Sequence, residues 1–203
     1  MINKHMTEIQ AKYYYWGPVL FRTTIKSSHL KQLKNLCGKS SRDYRHTLAA
    51  DIQEEYEVNR FKAKEILEPY LFYFKHCYEN WYNRVLPELK PKSAWVNYMK
   101  PGEHNPVHVH TECDFSSVVF IDIPKKLLEE IKQFKGTGDG PGALMFMYGE
   151  PHPYHVNMQS FTPVEGDMFM FPYSLRHTVS PFKSKCERVS VAINYEIKNE
   201  SSK

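Results

Sequence analysis

Two histidines stand two residues apart in "NPVHVH", residues 105–110, and two acids follow closely: His108, His110, Glu112 and Asp114. If this segment is extended, alternation puts His108 and His110 on one face and Val107 and Val109 on the other. Paired imidazoles of that kind can hold one divalent ion. A pair of histidines on a polar surface is the commoner outcome, so the segment needs a third partner from elsewhere in the chain.

His177 supplies that partner, in "GDMFMFPYSLRHTVSPF". Gly166 and Asp167 make a turn, an apolar strand follows, and His177 is expected just past the strand's end. Further on, "RVSVAINYE" alternates strictly. Arg188, Ser190, Ala192 and Asn194 share one face, and Val189, Val191, Ile193 and Tyr195 share the other. A strand with Arg, Ser and Asn on one face and bulky apolar residues on the other reads as the wall of a lined pocket. A buried arginine without a partner is costly, so Arg188 should meet an anion. The bland alternative is an edge strand with a solvated polar face.

The elements that must position these residues divide in two. "YYYWGPVLFRTTI" is expected to be an edge strand. After it, Ser27 or Ser28 caps a helix with Leu30, Leu33 and Cys37 on one face and Gly38 as its stop. "GKSSRDYRHTLAADIQEEY" reads as a polar connector. From Val58 to Val85 a second helical region carries Phe61, Ile66, Tyr70, Phe74, Cys77 and Trp81 at helical spacing, with Pro69 expected to break or kink it. From Lys92 onward come short β-prone runs, "SAWVNYM", "FSSVVFID", "ALMFMY", "DMFMFPY" and "RVSVAINYEI". Segments rich in Gly and Pro separate them. Helices at about 27–90 supporting a sandwich or small barrel at about 92–197, as one domain spanning 1–203, is the organisation this order implies.

Bulk properties narrow the options. The chain has 203 residues, enough for a substantial core, and is 41% hydrophobic and 25% charged, with a net charge of +4. That weak basicity permits an acidic ligand or nucleic acid, but no run of like charges argues for a polybasic arm. Cys37, Cys77, Cys113 and Cys186 form no CxxC pair, which argues against a zinc knuckle and a disulfide framework. No segment is apolar for long enough to cross a bilayer, and no signal peptide is visible, so a cytoplasmic protein without a membrane partner is expected. The ends, "MINKHM" and "KNESSK", read as solvated.

The ordered set Tyr98…Gly102…His108-Val-His110, then "GDMFMFP…His177", then Arg188-Val-Ser190 resembles the iron(II)/2-oxoglutarate-dependent oxygenases. It is similar in particular to their prolyl-hydroxylase-like branch and a phage-type group within it; a phage enzyme would work in its host's cytoplasm. The resemblance covers about Trp95 to Ile197. It implies a double-stranded β-helix, a jelly-roll or cupin-like barrel with supporting helices. It also implies a dioxygenase that uses Fe(II), 2-oxoglutarate and O2, with ascorbate as an optional reductant, to hydroxylate a C–H bond while releasing succinate and carbon dioxide. Carried onto this chain, His108 and His177 are metal ligands. Arg188 meets the far carboxylate of the cosubstrate, assisted by Ser190, and Tyr98, Asn97 and Asn194 are further cosubstrate contacts.

One position departs from the pattern. The family motif is His-x-Asp or His-x-Glu, and His110 stands where the acid belongs. Either His110 itself coordinates, or the register shifts so that Glu112 is the acid, or Asp114 folds back to the metal. The lead-in from Gly102 to His110 fits the first reading. A peptide substrate, such as a prolyl residue, follows by analogy, with nucleic acid or a small molecule as the other options. A homodimer is compatible with all of this. The loops "IKQFKGTGDGPG" and "YGEPHPYHV" are the candidate lids. Two rival readings are a cupin-like metal protein that needs no 2-oxoglutarate and a non-catalytic β-sandwich that binds a partner.

Overall fold

The computed structural model describes residues 17–39 and 41–197. The start of the expected first strand and both expected solvated ends lie outside those residues. In chain order the elements are β1 (Phe21–Thr24), α1 (Ser27–Leu36), β2 (Glu55–Glu57), α2 (Arg60–Tyr82), β3 (Leu89–Met99), β4 (Asn105–His108) and β5 (Phe115–Asp122). Then come α3 (Lys125–Gln133), β6 (Leu144–Met147), β7 (Met158–Phe161), β8 (Asp167–Pro172), β9 (Arg176–Val179) and β10 (Arg188–Ile197). They form a six-stranded sheet ordered β1-β8-β5-β10-β3-β2 and a four-stranded sheet ordered β4-β9-β6-β7. All the strand pairings are antiparallel. This is the double-stranded β-helix with supporting helices.

The large sheet is apolar on both faces, and strand alternation explains how. From β10, Val189, Val191, Ile193 and Tyr195 join Leu33, Leu67 and Phe74 of the helices in one core. From β8, Met168 and Met170 enter that same core, while Phe169 and Phe171 turn to a second core with Phe146 and Val179 of the small sheet. The run "MFMF" is continuous because its strand is covered twice. Arg188, Ser190 and Ala192, on the other face of β10, therefore point between the sheets.

Several local expectations need correction. No serine side chain caps α1. Lys26 is the N-cap, and its N–H donates to the Tyr70 hydroxyl at 2.7 Å. The helix stops at Leu36, with Cys37 already extended, so Gly38 is not required as the stop. Helix α2 runs unbroken through Pro69. Pro69 lies on the exposed side with Glu65, so the carbonyl it leaves unpaired is on the solvent side. The buried stripe of α2 is Ala63, Leu67, Tyr70, Leu71 and Phe74. Phe61 and Trp81 are 62% and 47% exposed, because both fall off the helix face that carries Ala63, Leu67, Tyr70 and Phe74. The polar connector contains β2, which pairs with β3, and α3 occupies part of what reads as loop. All four cysteines are free. Among the described residues, no helix is long and apolar enough to cross a membrane.

Candidate active site

Strand pairing brings the distant histidines together. His108, at the end of β4, stands directly opposite His177 on β9, so their rings lie 4.1 Å apart between centroids. His177 is therefore a strand residue rather than one beyond a strand end: the chain turns after β8 and re-enters the small sheet. His110 lies two residues past His108, where its backbone N–H donates to the Tyr173 carbonyl at 3.0 Å. One ring nitrogen from each of His108, His110 and His177 falls within 4.8 Å of the others.

The donor chemistry fits a divalent metal. The Nδ1–H of His108 donates to the Pro106 carbonyl at 2.8 Å, and that of His177 donates to Leu175 at 2.9 Å. Each bond to a carbonyl two residues back fixes the tautomer and leaves the Nε2 lone pair free. The Nε2 atoms of His110 and His177 are 3.2 Å apart. Burial holds all three imidazoles neutral. It pushes His110 down to about 3, with His108 adding to the effect, and holds His177 well below its ordinary value, with both neighbouring rings contributing. His108 is also lowered, again by burial. Neutral, converging lone pairs are what a metal ion requires of histidine.

The carboxylates considered as alternatives point elsewhere. Glu112 has a left-handed backbone (φ 56°), and its exposed side chain meets Lys92 at 3.8 Å. Asp114 accepts the Ile197 N–H at 2.6 Å, and its own N–H donates to Tyr195. It fastens the start of β5 to the end of β10. Neither belongs to the histidine cluster.

Behind the imidazoles lies a narrow cavity of about 50 Å³, lined by Asn97, Ser117, Phe120, Arg188 and Ser190 as well as the three histidines. Arg188 is 3% exposed. Its Nη1 donates to the Gly142 carbonyl at 3.1 Å, its guanidinium lies over the Phe120 ring at 5.2 Å, and its Nε has no partner. Among the described residues no carboxylate compensates it, and burial pulls its pKa down to about 10. An uncompensated guanidinium at a cavity wall is a site for an anion. Ser190 Oγ accepts from Asn97 Nδ2 at 3.3 Å, so the serine proton remains free to donate into the same cavity.

Not every expected cosubstrate contact lies here. Tyr98 packs in the helix-side core, with the Lys39 ammonium 4.6 Å from its ring centre. It neighbours Asn97 on β3, and successive strand residues face opposite ways, so only Asn97 can reach the cavity. Asn194 lines a second, outer cavity of about 700 Å³ that shares Trp95, Asn105, His108 and His110 with the inner one. Trp95 was recoverable from its alternation with Asn97. Asn105 and the Gly142 carbonyl carry no comparable signal in the sequence.

Comparison with known proteins agrees with this geometry. Residues 93–194 match the family model described as "Putative 2OG-Fe(II) oxygenase". No curated protein matches the chain in sequence. Among solved structures, it is similar to a prolyl hydroxylase from Trichoplax adhaerens in complex with a hypoxia inducible factor peptide fragment. That match has a TM-score of 0.59 and 13% identity, covering 92% of this chain and 88% of that one. It is similar also to a viral collagen prolyl hydroxylase from Paramecium bursaria Chlorella virus-1, in a 2OG complex (TM-score 0.55, 13% identity, 87% and 94% covered). A third is a Pseudomonas putida prolyl-4-hydroxylase (TM-score 0.53, 14% identity, 89% and 93% covered). With the family match spanning half of the chain, the readings without 2-oxoglutarate or without catalysis are not favoured. The chain belongs to the 2OG-Fe(II) oxygenases, dioxygenases dependent on Fe(II) and 2-oxoglutarate, and has the fold of their prolyl-hydroxylase-like members.

Proposed function

We propose that His108, His110 and His177 hold the iron, that Arg188 with Ser190 and Asn97 holds the far carboxylate of 2-oxoglutarate, and that the enzyme hydroxylates a peptidyl residue such as proline. The observation that carries this reading is the buried, uncompensated Arg188 in a cavity that the three imidazoles also line. Iron and 2-oxoglutarate, when bound, would supply the chemistry that activates O2: one oxygen atom goes into succinate as carbon dioxide leaves, and the other into a C–H bond of the substrate.

The chain's own residues bind, orient and exclude water. Three protein ligands on one side of a metal leave its other positions open. The inner cavity has room for only a few water-sized groups, which suits the narrow end of a slender dicarboxylate. The guanidinium fork can grip both oxygens of a carboxylate, and Phe120 beneath it keeps the pair dry and strong. A histidine in the acid position makes the metal site one unit more positive than a carboxylate would.

A peptide suits the outer cavity, whose size matches typical ligand sites and which opens to the surface beside His108 and His110. The similar Trichoplax structure holds a peptide fragment. Proline-containing peptides should raise succinate release above the rate without substrate, and mass spectrometry should find one added oxygen on the peptide. If no peptide does so while a small molecule or a nucleic acid does, the peptide assignment fails.

A further inference from the structure

Among the described residues, five buried side-chain atoms have no hydrogen-bond partner: both carboxyl oxygens of Glu55, Oδ1 of Asn105, Oδ1 of Asn194 and Nε of Arg188. The last is a donor and belongs to the inner cavity. The other four are oxygens, acceptors on the two amides and on Glu55 once its carboxyl is ionised, and every residue that carries them lines the outer cavity. A buried acceptor without a donor is destabilising, and a charged one more so. A cavity whose unpartnered buried groups are all oxygens is matched by a ligand that donates to them.

Glu55 is the centre of this arrangement. It pairs with Asn97 across β2 and β3, which directs its side chain to the cavity face, whereas Tyr56 packs against the helix-side core. It is 1% exposed. Among the described residues, the Arg and Lys side chains that act on Glu55 or line its cavity are already engaged: Arg45 with Asp43, and Lys92 with Glu112. Tyr44 and Trp95 also line the cavity and stack with ring centroids 5.8 Å apart, presenting the kind of aromatic surface that attracts a cation.

We propose that Glu55, with the amide oxygens of Asn105 and Asn194, recognises a positively charged nitrogen on the substrate, the ammonium of a lysyl or the guanidinium of an arginyl residue in the peptide. This rests on the outer cavity being the substrate's entrance. Burial first, and Glu103 second, push Glu55 up to about 8, so near neutral pH the carboxyl keeps its proton until a cation displaces it.

The test uses anaerobic, Fe(II)-loaded full-length protein with 2-oxoglutarate and two pairs of proline-containing peptides. One pair differs only by lysine against norleucine beside the proline, the other by arginine against citrulline. Calorimetry should show at least one cationic peptide binding about ten-fold or more tightly than its neutral twin, the energy of one charge-assisted hydrogen bond. Glu55→Gln should bring that ratio close to one; which pair discriminates tells ammonium from guanidinium. Equal affinities within both pairs, no binding of any peptide, or a preference that survives Glu55→Gln overturns the proposal. Retained 2-oxoglutarate binding in those cases leaves the oxygenase reading standing, and its loss in the wild type is the failure of that reading instead. A variant that weakens iron or 2-oxoglutarate binding without changing peptide preference assigns Glu55 to the metal site and likewise overturns the proposal.

Thermal melting checks independently that the carboxyl is unsatisfied. Between its ordinary value of 4.5 and about 8, the folded chain holds a proton on Glu55 that the unfolded chain does not, so stability falls as pH rises through that window. Asp43, Arg45 and Glu103 also act on Glu55. His46, Lys92, His108 and His110 line the same cavity. All of these are common to both proteins. Glu55→Gln should therefore melt on the order of 5 °C above the wild type at pH 8 and show little difference at pH 5. An equal or lower melting temperature at pH 8 means Glu55 already has a partner, which removes the basis of the proposal.

Discussion

Arg188→Ala should weaken 2-oxoglutarate binding by about 10²–10³-fold, measured by calorimetry on the anaerobic iron-loaded protein, because it removes a buried charge that pairs with a buried charge. The size follows from the setting. Arg188 is 3% exposed, and its neighbours are a backbone carbonyl and an aromatic face, so nothing else in the described cavity carries a fixed positive charge. Ser190 and Asn97 would still hydrogen-bond the ligand but could not neutralise it. Arg188→Lys should recover part of the loss only, since an ammonium supplies the charge without the fork. Protein stability should fall much less than ligand affinity, because the empty protein already bears the cost of an unpaired buried guanidinium. An Arg188→Ala protein with unchanged 2-oxoglutarate affinity would favour a metal protein that does not use this cosubstrate.

His177→Ala should lower iron affinity by more than about 100-fold, the upper end of what losing even a ligand's supporting partner typically costs, and should abolish succinate formation. His177 is 5% exposed and pairs directly with His108, so its removal leaves two ligands and an apolar gap. Iron content after anaerobic reconstitution and desalting is the readout. His110→Asp is the informative companion. It places the family's usual acid opposite the same two imidazoles and should retain iron, whereas His110→Ala should lose it. Full iron binding in His177→Ala would mean that the metal sits elsewhere.

The parts of the site that were legible in the sequence were those where period-two alternation coincided with a change of chemistry. In β10 every second residue is bulky and apolar, and Arg188 and Ser190 stand out on the other face. His108 and His110 share a side for the same reason. The same rule separates Tyr98 from Asn97: as neighbours on β3 they face opposite ways, and only Asn97 lines the cavity. Glu112 and Asp114 could not be resolved because their fates depend on a left-handed turn and on a hydrogen bond to Ile197, at the far end of the chain. Glu55 left no signal at all. Its strand is three residues long and lies in a polar segment, and only pairing with β3 buries it. In α2 the expected stripe holds at Ile66, Tyr70 and Phe74 and fails at its ends. Ala63 and Leu67 pack closely because they are compact, whereas Phe61 and Trp81 lie on the surface.

The most direct measurement is a titration of 2-oxoglutarate into anaerobic Fe(II)-loaded protein, recorded by calorimetry and by visible absorption together. A tridentate histidine site beside Arg188 should give saturable binding of one 2-oxoglutarate per iron, with a metal-to-ligand absorption band that grows in step with the heat. No band and no heat in protein shown to contain stoichiometric iron would contradict the assignment of the histidine cluster to the metal and of the inner cavity to the cosubstrate.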